Sequence, residues 1–277
     1  MPPAKNGDYA FLLHVIASLK STGRAAVILP HGVLFRGNVE ASISKNLIRQ
    51  GLVEGVIGLP PNLFYGTGIP ACIVVIDKAG SQQRDAIFMI DASRGVRKDG
   101  NKNRLRSRDI HKIVDVFTSK LELPRYARLV PIEEIADPRN DYNLNIPRYV
   151  DSSEPEDLHD LEAHLRGGIP AADVDALGAY WAVVPGIRDV LYEPGDRSGY
   201  LKARVAPEEV RPTIEGHQDY KKFRDEVLGV VDVWAEHHLP ALLGFDEGSD
   251  PKQLITTIAE DVLQRFADMP LVDPYAM

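Results

Sequence analysis

The fold is decided by one stretch, Gly58-Leu-Pro-Pro-Asn-Leu-Phe-Tyr-Gly-Thr-Gly-Ile-Pro-Ala-Cys-Ile-Val-Val-Ile-Asp77. It joins two apolar runs, Val53 to Leu59 and Ala71 to Ile76, and each has the length of a buried strand. Eleven residues, 60–70, separate the runs, which leaves no room for the crossover helix that parallel neighbours need. We therefore expect the two strands to run antiparallel.

The connecting residues 60–70 also form a loop that places Phe64 beside Tyr65. Glycines follow the aromatic pair and permit a tight turn, while prolines stiffen both ends of the loop: Gly66, Gly68, Pro60, Pro61 and Pro70. Two interpretations remain open. The rings form a platform for a flat ligand, or one or both of them belong to the core.

Working outward, the sequence alternates between helical and strand patterns. The predicted elements are a helix over Asp8–Lys20, a strand over Ala25–Leu29, a helix over Val39–Ile48, a strand over Ala86–Ala92 and a helix over Ile110–Leu121. Tyr126 to Ile135 fits neither period clearly. This order predicts an α/β fold with a largely parallel sheet covered by helices, in which the strand over Ala71–Asp77 is reversed.

The character of the chain changes near Val150, and we predict two domains, 1–150 and 151–277. The second is expected to be mainly helical, with an irregular stretch over Pro185–Ala206. Its predicted helices are Leu158–Leu165, Ala171–Trp181, Phe223–Leu243 with a break at Pro240, and Pro251–Ala267.

Charge is unevenly distributed. The net charge of −8 argues against a chain that binds nucleic acid by itself. Residues 94–112, however, hold eight cations and two carboxylates, a balance of +6 that leaves −14 for the remaining residues. The polar, Gly- and Asn-containing composition of Ser93–Arg108 predicts a loop.

Composition excludes several classes of protein. With 44% hydrophobic and 26% charged residues and no long apolar run, the chain is expected to be a globular protein without a membrane span. The lone Cys72 excludes an intrachain disulfide, and we expect a cytoplasmic protein. The histidine spacings do not predict a metal site. His31 follows a predicted strand, where α/β sheets place ligands, and either a ligand contact or a role in loop structure fits it.

Three motifs resemble one known family. Leu29-Pro-His-Gly-Val-Leu-Phe-Arg-Gly37, the stretch Gly58–Cys72 and Tyr142-Asn-Leu-Asn-Ile-Pro-Arg-Tyr149 are similar to the modification (M) subunits of type I restriction-modification systems, a family of DNA adenine-N6 methyltransferases. The resemblance implies the C-terminal half of a Rossmann-like methyltransferase sheet, parallel with one antiparallel strand, followed by a mainly helical region.

The family uses S-adenosylmethionine, which is held at a glycine-rich turn, and an Asn-Pro-Pro-Phe or Asn-Pro-Pro-Tyr motif that positions the target amino group. Neither motif occurs in these 277 residues. We therefore expect the chain to be part of a longer enzyme, to hold no catalytic residue itself, and to bind no S-adenosylmethionine and show no activity alone.

The resemblance also assigns roles to residues. Phe11 matches the ring that lines the adenine pocket of the cofactor, although a core position on an amphipathic helix fits it as well. Phe64 matches the aromatic residue that stacks on the flipped target adenine, with adjacent Tyr65 as the alternative. The basic segment is expected to contact DNA phosphates through Arg94, Arg97, Lys98, Lys102, Arg104, Arg106, Arg108 and Lys112.

Two functions remain open at this point. In the first, the chain is part of the methyltransferase itself and acts on double-stranded DNA. In the second, the region from Asp151 onward is a helical module that docks the specificity subunit, with which family members assemble, often together with a restriction subunit.

Overall fold

The structure is a computed structural model that describes Pro2, residues 6–153 and residues 159–277. The chain divides into two compact units, with the boundary between Pro155 and Glu156. Each unit has a hydrophobic cluster of its own.

The first unit alternates helices and strands. Its elements are α1 (Asp8–Ser18), β1 (Arg24–Pro30), α2 (Asn38–Arg49), β2 (Val53–Gly58), β3 (Ala71–Asp77), β4 (Ala86–Asp91), β5 (Arg97–Asp99), β6 (Lys102–Arg104), α3 (Ser107–Ser119), β7 (Ala127–Pro131) and α4 (Ile132–Ala136).

Five of the described strands form the main sheet, in the order β1-β3-β2-β4-β7. Strand β3 is antiparallel to both β1 and β2, while β2 and β4 are parallel. The α/β class and the reversed β3 are thus confirmed. Strand β7 adds a second reversed strand beyond β4, in the segment whose sequence pattern was ambiguous.

One face of the sheet packs on α1 and α2. Leu12 and Ile16 from α1 and Ile48 from α2 join a buried cluster with Val74 and Ile76 of β3. Their helical and strand spacing places all five on the same side. Burying a side chain such as that of Ile48 contributes about 1.5–3 kcal/mol, so this cluster fixes the sheet against its helices.

The opposite face is only partly covered. Helix α3 packs on β2 and β4 so closely that a Cβ atom on Gly55 would lie 2.5 Å from the ring of Phe117. Toward β1 this cover ends. Along the paired row from Ile90 through Ile57 to Ile28, side-chain exposure rises from 0% to 4% and then 55%. The edge strand β1 therefore presents apolar side chains to solvent.

The second unit is mainly helical. Its elements are α5 (Leu161–Arg166), β8 (Ile169–Pro170), α6 (Ala171–Asp175), α7 (Gly178–Val183), α8 (Pro185–Leu191), β9 (Tyr192–Pro194), β10 (Tyr200–Ala203), α9 (Pro207–Gly216), α10 (Gln218–Leu243) and α11 (Pro251–Phe266). The predicted helix start at Leu158 lies outside the described residues.

Three predictions for this unit were wrong. The predicted helix Ala171–Trp181 is two short helices, α6 and α7. The stretch 185–206 is not irregular, because Pro185 opens α8 and the strands β9 and β10 follow. These two strands form a small sheet with β8, in the order β8-β10-β9. Helix α10 is not broken at Pro240. That proline lies in the last turn, where its carbonyl accepts the Gly244 N–H at 2.9 Å and closes the helix. Among the described residues, no helix has the length and apolar character needed to cross a membrane.

Candidate functional site

The candidate site lies where β1, β2 and β4 end and β3 begins. Residues 60–70, which we call the aromatic loop, leave the end of β2 and return into β3. At its base the Leu59 N–H donates to the Ala71 carbonyl at 2.9 Å, and the His31 N–H donates to the Pro70 carbonyl at 3.0 Å. The loop is therefore anchored at the edge of the sheet where α/β proteins bind ligands.

The two adjacent rings of the aromatic loop face solvent. Phe64 is 40% exposed and Tyr65 is 93% exposed, so neither ring belongs to the buried core. Asn62 and Gly66 adopt positive φ angles of 57° and 78°, which bend the chain on either side of the pair. An aromatic pair held in solvent by a constrained loop offers a π surface to a flat ligand.

The basic segment is not a loop, as its composition predicted, but a small hairpin followed by α3. Strands β5 and β6 pair antiparallel from Arg97 opposite Arg104 to Asp99 opposite Lys102. The two-residue turn has Gly100 at φ 61°, the position for which type II′ hairpins select glycine. This Gly-Asn turn was the signal in the sequence, but strands of three polar residues gave no apolar period.

The hairpin is tied to the aromatic loop. The Lys102 Nζ donates to the carbonyls of Phe64 at 2.7 Å and of Thr67 at 3.2 Å. Asn103 donates its backbone N–H to the Asn62 carbonyl at 2.9 Å and its Nδ2 to the Pro61 carbonyl at 2.7 Å. Lys102 was predicted to contact DNA, and it is hydrogen-bonded to the loop that carries Phe64 and Tyr65.

The other cations of the basic segment occupy different environments. Arg94, Arg97 and Lys98 are exposed, as is Arg108 at the start of α3. Arg104 lies 3.5 Å from Asp99, and Lys112 lies 4.8 Å above the Tyr126 ring. The set therefore does not form one uniform basic face.

Arg106 is the N-cap residue of α3. Its guanidinium contacts Asp109 at 2.8 Å, and the Asp109 carboxylate also accepts the Arg106 backbone N–H. The hydrogen bond from Arg106 lowers the pKa of Asp109 against the opposing effect of burial. A carboxylate in the first turn is stabilised by the helix dipole as well, so this pair fixes the start of α3.

His31 stands beside the site, at the end of β1. Burial lowers the pKa of its imidazole, and the charge of Asp91 at the end of β4 opposes that shift. Asp91 is itself buried and accepts the Ser93 N–H at 3.0 Å. The His31 ring packs edge-on against Phe35 at 5.8 Å. A half-buried imidazole is thus placed at the carboxyl edge of the sheet.

Phe11 lies on α1, apart from the aromatic loop in the chain, and its side chain is 70% exposed. The start of α1 is pinned to α2 by Arg36, whose Nη1 lies 2.6 Å from Asp8 and 3.3 Å from Glu40. Phe11 is therefore a solvent-facing ring on a fixed helix.

The described residues contain no group of three or more His, Cys, Asp or Glu side chains placed to hold a metal ion. Cys72 is buried, and burial raises the pKa of its thiol to about 12, which leaves it protonated and unreactive.

Comparison with known proteins identifies the family. The profile described as N-6 DNA Methylase matches residues 1–158, more than half of the chain. The chain belongs to this family. The match includes the aromatic loop, the β5–β6 hairpin and Phe11, while residues 159–277 lie outside it.

Two relatives of this N-6 DNA methylase family member are methylase subunits of type I restriction enzymes. The chain is 38% identical over 159 residues to the type I restriction enzyme MpnII methylase subunit of Mycoplasma pneumoniae, covering 57% of this chain and 29% of the relative. It is 34% identical over 169 residues to the MjaVII methylase subunit of Methanocaldococcus jannaschii, covering 59% and 28%. The chain thus spans less than a third of the length of these relatives.

A solved structure is similar over the same region. The methyltransferase subunit of a type I restriction-modification system from Streptococcus thermophilus shows 42% sequence identity and a TM-score of 0.51. The similarity covers 54% of this chain and 31% of that one. Fold and sequence therefore agree that the first unit is similar to part of a type I M subunit.

Proposed function

We propose that this chain is part of an enzyme that transfers a methyl group from S-adenosylmethionine to the exocyclic amino group of adenine in double-stranded DNA. The observation that carries the proposal is the solvent-facing pair Phe64 and Tyr65 at the carboxyl edge of the sheet of an N-6 DNA methylase. The names of the related methylase subunits support it.

The chemistry explains why such a loop is needed. The adenine amino group is inaccessible inside a duplex, so the base must be extruded into the enzyme. An extruded base loses its stacking neighbours, and an aromatic ring replaces them without requiring specific hydrogen bonds. Phe64 is the proposed stacking residue and Tyr65 the alternative.

The hairpin beside the loop supplies positive charge. Arg97 and Arg104 lie directly opposite each other on β5 and β6, an arrangement of like charges that is unfavourable by itself. A phosphate near the two guanidiniums would relieve it. We assign a phosphate-binding role to the exposed cations of the basic segment, which would hold the DNA backbone near the extruded base. These are Arg94, Arg97, Lys98, Arg104 and Arg108.

Phe11 is assigned to the wall of the adenine pocket of S-adenosylmethionine, where an exposed ring on a fixed helix can stack on the cofactor. The cofactor supplies the methyl group when bound. This chain contributes the stacking surface, and we expect no methyl transfer by the chain alone. Because the proposed substrate is DNA, the cytoplasm remains the predicted location.

The test is complementation. The full chain is combined with the N-terminal part of the Mycoplasma pneumoniae relative that precedes the matched segment, together with that system's specificity subunit; we call this the complemented enzyme. Transfer of tritiated methyl groups to DNA is expected only when both parts are present. The relative, split at the same point, is the positive control. An active split relative beside an inactive complemented enzyme would overturn the proposal.

A second function is favoured by the second unit. Helix α10 carries apolar side chains on one stripe that remain half or more exposed: Leu228, Leu239 and Leu242. Such a stripe fits a helix of a protein partner, and we assign it to the specificity subunit. Replacing Leu239 and Leu242 with Asp should abolish capture of that subunit, while Val233→Asp, on the other side of α10, should not. Unimpaired capture by the double variant would refute the assignment.

A further inference from the structure

We infer that Lys102 is a positioning residue that holds the base-stacking loop in shape, and that it does not serve as a phosphate ligand as its place in the basic segment predicted. This inference rests on the proposed function of the aromatic loop. The hairpin that carries Lys102 then supports the loop as a brace. Its other cations, Arg97, Lys98 and Arg104, keep the proposed phosphate-binding role.

The hydrogen bonds between the hairpin and the aromatic loop all run in one direction. All four of those described above run from Lys102 and Asn103 to carbonyls of the loop, at Pro61, Asn62, Phe64 and Thr67. Three of the eleven loop residues are prolines, which supply no N–H donor to such carbonyls. Donors from another segment therefore stabilise the shape of the loop.

Lys102 contacts the aromatic loop on both sides of the turn at Gly66. The Phe64 carbonyl belongs to the peptide unit that joins Phe64 to Tyr65, and the Thr67 carbonyl lies just beyond Gly66. One ammonium group thus connects both ends of the turn that displays the rings. Fixing these two peptide units limits the orientations that both side chains can adopt.

Lys102 differs from the neighbouring cations in its contacts and exposure. An ammonium has three donors, and two of those on Lys102 point at the loop. Its side chain is half-buried, whereas Arg97, Lys98 and Arg104 are exposed. A cation already held by two carbonyls gains less from a phosphate than an exposed arginine does.

The first test uses hydrogen–deuterium exchange of the full chain. Lys102→Met should raise the exchange rates of the amides of residues 62–69 and of Asn103 about tenfold, the factor expected for losing a hydrogen bond to a charged group. Lys102→Arg, which keeps donors, should restore much of the protection. Lys78→Met is the matched control, because Lys78 makes a similar bond to the Leu19 carbonyl at 2.9 Å, far from the loop in the fold. Unchanged exchange in Lys102→Met would overturn the inference.

The second test uses the complemented enzyme with 2-aminopurine at the target position. Lys102→Met should lower the fluorescence change on base extrusion, while the salt dependence of DNA binding stays unchanged. On DNA with adenine at the target position, which has the amino group that 2-aminopurine lacks at C6, the same variant should lower kcat about tenfold. Arg97→Met should lower the salt slope of DNA binding by about 0.9. A lower slope in Lys102→Met would make it a phosphate ligand. An inactive complemented enzyme would count against the proposed function alone, because the exchange test decides the brace without it.

Discussion

Replacing Phe64 with alanine should separate the folding role of this ring from its role in catalysis. With 40% of the side chain exposed, about 60% is buried in the fold. Full burial of phenylalanine contributes about 1.5–3 kcal/mol, so Phe64→Ala should cost about 1–2 kcal/mol. For a unit of this size that lowers Tm by roughly 2–8 °C and leaves the protein folded at 25 °C.

The catalytic effect should be larger than this loss of stability can explain. Stacking of a base on an aromatic ring contributes about 1–3 kcal/mol, which corresponds to a 5- to 150-fold loss in kcat/KM for Phe64→Ala in the complemented enzyme. Phe64→Trp should retain much of the activity, and cofactor affinity should barely change. Tyr65 is 93% exposed, so Tyr65→Ala should leave Tm within about 2 °C.

The assay is single-turnover methyl transfer at 25 °C, with thermal unfolding of the same preparations as the control. If Phe64→Ala unfolds the unit while Tyr65→Ala abolishes the 2-aminopurine signal, then Phe64 has a structural role and Tyr65 is the stacking residue. Full activity in both variants would refute stacking by this loop.

Four further predictions follow from the same structure. Calorimetry of the isolated chain with millimolar S-adenosylmethionine should show no heat of binding, and a micromolar Kd would contradict the expected need for a glycine-rich turn. Replacing Arg104, Arg106 and Arg108 with Ala in the complemented enzyme should lower the salt slope of DNA binding by about two to three. The decrease should be close to the lower of these values, because Arg106 already pairs with Asp109. An unchanged slope would remove the segment from the interface. The exposed edge strand β1 should make the isolated chain self-associate, and Ile28→Lys should reduce this in analytical ultracentrifugation, whereas a monodisperse wild-type monomer would argue against it. Because Arg106 lowers the pKa of folded Asp109, this carboxylate stabilises the fold above its unfolded pKa of about 3.9, and the contribution is lost as pH falls through the folded pKa. Asp109→Asn should therefore cost about 0.5–1.5 kcal/mol in urea unfolding at pH 7, and a penalty that persists at pH 2 would refute this origin.

The main sheet could be read from the sequence where local patterns determine it. The apolar runs around residues 60–70 and the short connection between them sufficed to predict that β2 and β3 are antiparallel, and the observed pairing confirms it. Strand β7 escaped prediction because it is a sheet edge with an exposed Leu129, whose N–H is satisfied by the Glu122 carboxylate at 2.8 Å. A strand exposed on one side lacks the continuous apolar run of a buried one.

The candidate site was only partly predictable from the sequence. The aromatic pair and the cations were visible in the sequence, but the link between them consists of bonds from Lys102 and Asn103 to carbonyls about 40 positions away. Backbone carbonyls have no sequence signature, so composition assigned Lys102 to DNA together with its neighbours. The exposure of Phe64 and Tyr65 likewise depends on tertiary packing and not on the local pattern.

Photocrosslinking identifies the residue that contacts the extruded base, and so tests whether the aromatic loop stacks on the target adenine. The complemented enzyme is bound to DNA that carries 5-iodouracil in place of the target adenine, irradiated, digested and sequenced by mass spectrometry. We expect a crosslink to Phe64, or to Tyr65 as the adjacent alternative, that is lost when the acceptor ring is replaced with alanine. A crosslink at a residue outside 60–70, formed equally well by Phe64→Ala and Tyr65→Ala, would contradict it.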